Sequence, residues 1–374
     1  MRISQRLGNL NNQQAEENPV GLPAETHSAQ IGAILEAWGM PRPNAGRTAE
    51  VMTWADLRGI GSHGISMLLN YDILRENKKV TFAAEPTILR ETPVSALVDG
   101  GDGLGYVPAR FSMGLAVDKA KSAGIGIVSV RNSMHFGACG FYAEMAIKAG
   151  LIGMVMTTTA KCAVAPTGGA EAKLGTDPIA FGAPAKGDDY FLLDMATTTV
   201  AGGKIRNLAV ENLQCPPGWI LNSRGLPTTE PKEVYGGDGF MTSLGGSREG
   251  GSYKGYGLAV MVNILSACLS GASLMTDPRH AKVPGKGNNI GHFFLALDPG
   301  LFRDPKDFRA DVSTFIDTLR STKAVEGGEG VLVAGDPERA KLAKRMAAGI
   351  DVPKGLRAEL RSIADNAGAP WLLN

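Results

Sequence analysis

Ile125-Gly126-Ile127-Val128-Ser129-Val130, followed by Arg131-Asn132-Ser133-Met134-His135-Phe136-Gly137 and then Ala138 through Ala149, is the stretch whose reading decides the fold. The first six residues read as a buried strand. The last twelve place Phe141, Tyr142, Met145, Ala146 and Ala149 at helical spacing. Between them lies a polar run closed by glycine, and open α/β sheets take ligands where the carboxyl end of a strand meets the amino end of a helix. His135 is therefore placed for chemistry, and the neighbouring Arg131 and Asn132 suit a carboxylate or carbonyl ligand. A histidine on a turn more often caps or packs than reacts, so the assignment needs support from the rest of the chain.

Working outward, Ile31, Ile34, Leu35 and Trp38 share one helical face, and Ala45, Ala49 and Met52 mark a second helix running to Arg58. A third, with Leu69, Ile73 and Leu74, follows Gly64. From about residue 85, short apolar strands at 96–98, 125–130, 152–157, 179–181 and 191–193 alternate with helices, which predicts an α/β core. Residues 206–250, rich in Gly, Pro, Ser and Thr, read as a long excursion of loops, a lid or a subunit contact. An apolar helix after Lys254, a strand at 292–297, a helix through Phe308, Val312, Phe315 and Leu319, and a charged helical segment from Pro337 complete the chain. The expected organisation is a mobile tail at 1–18, a helical segment at 19–84, an α/β core at 85–300, and a helical segment at 301–374 that covers the open side of the core.

Bulk properties narrow the function classes. The 374 residues carry 38 basic and 37 acidic side chains, which leaves no electrostatic footprint for nucleic acid or an anionic membrane. The partner is expected to be a small molecule. Cysteines at 139, 162, 215 and 268 lack metal or redox spacing and read as buried thiols of a cytoplasmic protein. The longest apolar run, Leu258 to Leu269, falls well short of the roughly 20 residues that span a membrane. Residues 1–18 show neither a signal-peptide nor a transit-peptide pattern.

Gly59-Ile60-Gly61-Ser62-His63-Gly64 spells the dinucleotide fingerprint, but the residues before it read as a charged helix where the fingerprint needs a buried strand. The stretch instead offers Ser62 and a second histidine, His63, at a helix amino terminus, where the neutral imidazole is favoured. No serine-hydrolase elbow, zincin motif or Walker A sequence occurs. Two histidines without a surrounding cluster of thiols or carboxylates fit proton transfer better than metal binding, and no metal is expected. His27, His280 and His292 are taken as structural or exposed. Asp194-Met195-Ala196-Thr197-Thr198-Thr199 after a strand, and Lys254-Gly255-Tyr256-Gly257 heading a helix, are phosphate-friendly and together suggest a large phosphorylated cofactor.

In order, Ser62-His63-Gly64, Arg131 through Gly137, Leu174 through Phe181, Leu193 through Thr197, Tyr253 through Gly257 and Gly291 through Phe294 resemble the malate/L-lactate dehydrogenase family of the non-Rossmann type. That family also holds ureidoglycolate, sulfolactate and diketogulonate enzymes and cyclic-imine reductases. The resemblance runs from about residue 24 to the carboxyl end. It implies a mixed-sheet, non-Rossmann NAD(P)-binding core flanked by helices, usually as a homodimer, in an enzyme using NAD or NADP. Both His63 and His135 match histidines given the acid/base role in members. Cofactor contacts carry over to Thr159, to Asp194, Met195, Ala196, Thr197 and Thr198, to Lys254 with Gly255, and to Gly335 and Asp336.

Departures from the pattern also matter. Asp177 stands where the family usually has asparagine, and Lys161 sits in what looks like a one-residue insertion after Thr159. Met67 stands where the family commonly has arginine, so a charged anchor of roughly 1.5–3 kcal/mol is missing; Arg58 or Arg131 is a substitute, and Tyr71 one turn further on completes the expected substrate pocket. The expected reaction interconverts a small 2-hydroxy acid and its 2-oxo acid, with His135 moving the proton and Ser62 and His63 completing the pocket or exchanging roles with it. Two alternatives remain: NADPH-dependent reduction of a cyclic imine carboxylate, which an apolar Met67 suits, and a nicotinamide-binding regulatory protein without turnover.

Overall fold

The computed structural model describes residues 21–274 and 287–374. The expected tail at 1–18 and His280 lie outside them. Helices α1 (Ala24–Ala37) and α2 (Arg42–Leu57) open the chain, two single turns at Gly61–His63 and Ile65–Met67 follow, and α3 is Leu68–Glu76. Prolines at the starts of α1 and α2 supply a preset backbone angle where no amide partner is needed.

The centre is a seven-stranded mixed sheet in the order β1-β2-β3-β10-β4-β5-β6. Its strands are β1 (Thr87–Glu91), β2 (Ser95–Gly103), β3 (Ile125–Ser133), β4 (Ile152–Thr157), β5 (Ile179–Pro184), β6 (Tyr190–Met195) and β10 (Ile290–Leu297). Among the described residues only β2 and β3 are parallel neighbours in this sheet, joined through α4 (Tyr106–Ala123); its other pairs are antiparallel. This is not the doubly wound parallel sheet of a Rossmann domain.

Strand alternation divides the core. Phe294 and Ala296 on β10, with Val128, Val130 and Val155, belong to the large apolar cluster under α4 and α5 (Cys139–Lys148). Phe293 and Leu295 point the other way, toward Val262 and Leu265 of α7 (Ser252–Asn263) and its π-helical continuation Ile264–Cys268. Gly126 and Gly153 let the helices lie close: a Cβ would fall 2.0 Å from the Ala116 carbonyl oxygen and 2.8 Å from the Ala146 Cβ, respectively. The same large cluster contains Ile31 and Ile34 near the start of the chain and Leu360 and Ile363 near its end.

The carboxyl-terminal helices α8 (Pro305–Arg320), α9 (Asp336–Ala348) and α10 (Lys354–Ala367) pack on β5 and β6, on α2, and on α1 and α3, in that order. An Arg320–Asp189 ion pair at 2.7 Å and an Arg320–Asp336 pair at 2.7 Å tie α8, the turn before β6 and α9 together.

Residues 206–250 differ from the expected loops. They finish α6 (Gly202–Glu211) and form a small sheet from β7 (Ile220–Leu221), β8 (Pro227–Thr228) and β9 (Phe240–Met241), in the order β8-β7-β9. Val164, Leu174, Ile205, Cys215, Ile220 and Met241 give this lobe its own apolar cluster. Two-residue strands are too short for a period to show in sequence. The edge strand β1 escaped for a related reason, since all five of its residues are exposed and no buried alternation marks it. The cysteines also need correction: Cys139 and Cys215 are buried, but Cys162 is partly open and Cys268 exposed.

Candidate active site

Two turns meet here, and each is clamped from behind. Asp56, near the end of α2, accepts from the Ile65 N–H at 2.7 Å, and its Oδ2 lies 3.0 Å from Nε2 of the buried His27. The carboxylate passes directly under Gly64, where any Cβ would come within 1.9 Å of it. This contact is why the Ser-His-Gly turn requires glycine, and it presents Ser62 and His63 outward with Ser62 Oγ 2.8 Å from His63 Nδ1. Arg345 of α9 adds a hydrogen bond to the Asp56 carbonyl.

The second turn, at the end of β3, is held by His292 of β10. Its Nε2 bonds Ser133 Oγ at 2.7 Å and its Nδ1 bonds Thr157 Oγ1 at 2.6 Å, while its ring stacks on Phe136 at 4.5 Å. Tyr142 of α5 donates to the Phe136 carbonyl at 2.5 Å. Gly137 then takes a left-handed φ of 82°, which favours glycine and starts the chain into α5.

Between the clamps, the His63 and His135 rings stand 5.3 Å apart, centroid to centroid. His135 Nδ1 is 2.7 Å from Tyr71 Oη of α3, and Tyr71 Oη is 2.8 Å from Tyr106 Oη of α4. Both phenols are fully buried. Burial pushes His135 down to about 3, with the neighbouring His63 and His292 adding to the effect, and burial also lowers His63. The cause at His63 is lost solvation rather than the helix amino terminus expected from sequence. Both imidazoles are therefore neutral near pH 7. A neutral imidazole can accept a proton or polarise a carbonyl.

The other expected substrate residues fall into two groups. Arg131 and Asn132 share Asp99, with Arg131 Nε at 3.5 Å and the Asn132 amide at 2.7 Å from Asp99 Oδ2. Met67 packs against the core, with Asn70 Nδ2 3.7 Å from its sulfur. Arg58 is committed elsewhere: it stacks on Trp54 at 4.1 Å and pairs with buried Glu144 at 2.9 Å, so the structure does not offer it as the missing anchor. Sequence reasoning missed Asp56, Asp99 and Tyr106, whose roles depend on residues far away in the chain; it placed His292 outside the chemistry but gave no hint that it clamps the His135 turn.

The residues marked for cofactor lie on the β5–β6 side and around α7. Asp194, next to last in β6, accepts from the Gly140 N–H at 2.7 Å. Part of it reaches solvent, yet the crevice beside Gly140 and Trp54 removes enough water to push its carboxyl up to about 6. Met195 and Ala196 are half-buried, and Thr197 bonds the Thr176 carbonyl through both N–H (2.9 Å) and hydroxyl (3.1 Å). Thr198 bridges to Ser243. Asp177, buried at a φ of 35°, accepts from Gly175 N–H and from Asn263, and burial raises it to about 6.

Thr159 Oγ1 bonds the Lys161 carbonyl at 3.1 Å and fills the space where a Gly175 side chain would be. Gly255 abuts the Leu244 backbone, and the Lys254 ammonium lies 5.9 Å from the Tyr253 ring. Gly335, with a φ of 99°, precedes Asp336, whose carboxylate is occupied by Arg320, Arg339 and the Val333 N–H, and the arginines hold it down to about 2.

The donor set fits a phosphorylated group. A pocket of about 240 Å³ at the head of α7 is lined by Thr242, Ser243, Gly246, Arg248, Glu249 and Ser252, and Ser243 Oγ is buried there without a hydrogen-bond partner among the described residues. An unpaired hydroxyl beside an arginine and a helix amino terminus suits an anionic oxygen.

A neutral histidine pair able to exchange a proton, on a mixed-sheet α/β scaffold without a Rossmann turn and with a hydroxyl-lined pocket that suits an anion, is the arrangement this fold presents. Residues 22–361 match the family model described as malate/L-lactate dehydrogenase, and the chain belongs to that family. It is 38% identical to a malate dehydrogenase of Pyrococcus horikoshii over 96% of this chain and 98% of that one. It is 35% identical to an L-sulfolactate dehydrogenase of Methanocaldococcus jannaschii, covering 93% and 97%. The crystal structure of a malate dehydrogenase from Entamoeba histolytica superposes with a TM-score of 0.88 at 32% identity, over 94% of this chain and 99% of that one. The protein is an NAD(P)-dependent oxidoreductase of hydroxy acids.

Proposed function

We propose that this enzyme interconverts a small 2-hydroxy acid of the malate or lactate type and its 2-oxo acid, with His135 as the residue that moves the proton. The observation that carries the reading is the binding of His135: Nδ1 is held by Tyr71, while Nε2 has no hydrogen-bond partner among the described residues and is left for substrate. Oxidation requires a base for the hydroxyl proton, and a neutral imidazole fills that role; the ring gives the proton back in reduction. Ser62 and His63 complete the pocket. Arg131 is the remaining cation for the substrate carboxylate, since its contact with Asp99 is long, and Asn132 shares that aspartate with it.

Bound NAD or NADP supplies the hydride acceptor or donor at its nicotinamide ring. Thr159, Asp177, Asp194 through Thr198, Lys254, Gly255, Gly335 and Asp336 are the residues proposed to hold it, with the Ser243 pocket beside them. The working assembly proposed is a cytoplasmic homodimer. Met67, apolar where relatives of the family commonly have arginine, favours a second reading in which a cyclic imine carboxylate is reduced. The test offers pyruvate, oxaloacetate and a cyclic imine carboxylate in parallel with each reduced cofactor, following nicotinamide absorbance. Turnover of a 2-oxo acid supports the first reading, turnover of the imine alone supports the second, and measurable cofactor binding with no turnover of any of them overturns both.

A further inference from the structure

His135 Nδ1 is approached by two groups. One is the Tyr71 hydroxyl at 2.7 Å; the other is the Gly137 backbone N–H at 3.4 Å, a longer contact that can only donate. A nitrogen facing an amide proton is an acceptor, so the single proton of the neutral ring is displaced to Nε2. The phenols support the same sense. Among the described residues Tyr106 Oη bonds Tyr71 and no other group. If Tyr106 donates to Tyr71 and Tyr71 donates to Nδ1, both buried phenol protons are used. In the opposite sense the Tyr106 proton has no acceptor, and leaving a buried donor unpaired is unfavourable.

Resting on the reading of His135 as the proton-transfer residue, we propose that Tyr71 is a positioning residue that sets the protonation geometry of that ring, with Tyr106 as the partner that lets it turn. In the resting enzyme Tyr71 donates to Nδ1 and keeps the ring proton on Nε2, facing substrate, which sets the ring for reduction; oxidation uses the turned form, in which Nδ1 carries the proton, Tyr71 accepts from it and Nε2 is the base. Reduction of a 2-oxo acid consumes one solvent proton besides the hydride from the reduced cofactor. That proton places a second N–H on the ring at Nδ1, and Tyr71, rotated about its C–O bond, accepts from it while its own proton passes into the hydrogen bond with Tyr106; this sense leaves the Tyr106 proton unpaired, so it is disfavoured at rest and entered only when the ring takes up its second proton. The Nε2 proton then bonds to the substrate oxygen as the carbon–oxygen double bond becomes single. A phenol can serve in both senses; a phenylalanine ring can serve in neither, and the Gly137 amide only in the first.

The sequence reading gave Tyr71 a place against substrate, and the two roles separate experimentally. Ring-nitrogen NMR of the ¹⁵N-histidine-labelled full-length enzyme is expected to show His135 as one neutral tautomer with the proton on Nε2, and Tyr71→Phe is expected to convert it to a mixture. Steady-state kinetics of Tyr71→Phe, at unchanged cofactor binding as the check of folding, should lose roughly ten- to a hundredfold in kcat while KM for the 2-oxo acid stays within about twofold. Tyr106→Phe, a milder change, should keep the Nε2 tautomer and still lose kcat, because the turned phenol has no acceptor. A wild-type ring protonated on Nδ1, or a Tyr71→Phe variant that raises KM at unchanged kcat, overturns the proposal. His135→Asn separates this failure from that of the wider reading: if it retains turnover, His135 is not the proton-transfer residue; if it is inactive while Tyr71→Phe behaves as wild type, only the positioning role falls.

Discussion

Gly64→Ala is the sharpest perturbation the structure offers at a distance from the reacting atoms. The new Cβ would lie 1.9 to 2.1 Å from all three atoms of the Asp56 carboxylate, far inside contact distance. The backbone angle is not the obstacle, since Gly64 has a φ of −95°. The carboxylate cannot retreat, because it is buried against His27 and bonded to Ile65. The turn can, because Gly61 and Ser62 are exposed. Overpacking costs about 1–3 kcal/mol and a lost charged hydrogen bond to Ile65 about 1.5–3 kcal/mol, but outward movement of the turn relieves the first at the expense of the second. The expected stability loss is therefore on the order of 2 kcal/mol, read as a shift in urea midpoint. His63 moves with the turn, and a displacement of about an ångström at a reacting pair costs roughly a hundredfold in turnover. The effect on kcat thus exceeds what the stability loss alone implies. Gly61→Ala is the control: its Cβ would meet Asp56 at 3.8 Å, an ordinary contact, and should leave both measurements unchanged. Wild-type turnover in Gly64→Ala would refute the claim that Asp56 fixes the histidine turn.

Other consequences are as direct. Arg58→Met removes one of the partners of buried Glu144, leaving it Lys148 and the Trp54 N–H, and should destabilise the protein by about 1–3 kcal/mol in urea titration, while the double variant Arg58→Met/Glu144→Met recovers most of that; equal losses in both would contradict the ion-pair account. His135 and His292 have values pushed from 6.5 to about 3, so the unfolded chain binds protons below pH 6.5 that the folded chain refuses until near pH 3. Stability must fall as pH drops through that window and be unaffected by these groups above it; urea midpoints that stay level between pH 7 and pH 4 would rule this out. Met67→Arg puts a cation where the family commonly has arginine and should lower KM for oxaloacetate about tenfold or more relative to pyruvate, whereas an unchanged ratio would remove position 67 from the proposed substrate pocket.

What could be read from sequence follows physical lines. The strand at 125–130 and the helix after it declared themselves because β3 and α5 are buried on well-defined faces, and the false fingerprint at Gly59 to Gly64 was rejected on the same grounds, since α2 precedes it. The two histidines stood out because each sits in a polar turn beside glycine. What holds them did not stand out: Asp56 reaches Ile65 and His27, His292 reaches Ser133 and Thr157, and Tyr106 reaches Tyr71, contacts made across 9 to 159 positions that no local period records. The commitment of Arg58 to Glu144 was hidden for the same reason, which is why an arginine that looked available as an anchor is a structural residue. The mixed character of the sheet followed from the family resemblance, whereas alternation alone pointed only to α/β.

The central claim is that His135, rather than His63, moves the proton during hydride transfer. Single-turnover reduction of a 2-oxo acid by His135→Asn and His63→Asn, each preloaded with reduced cofactor, tests it most directly. The account predicts a loss of roughly a hundredfold or more for His135→Asn and a smaller loss, carried mainly in substrate affinity, for His63→Asn. Near wild-type hydride transfer in His135→Asn, with transfer abolished in His63→Asn, would contradict it.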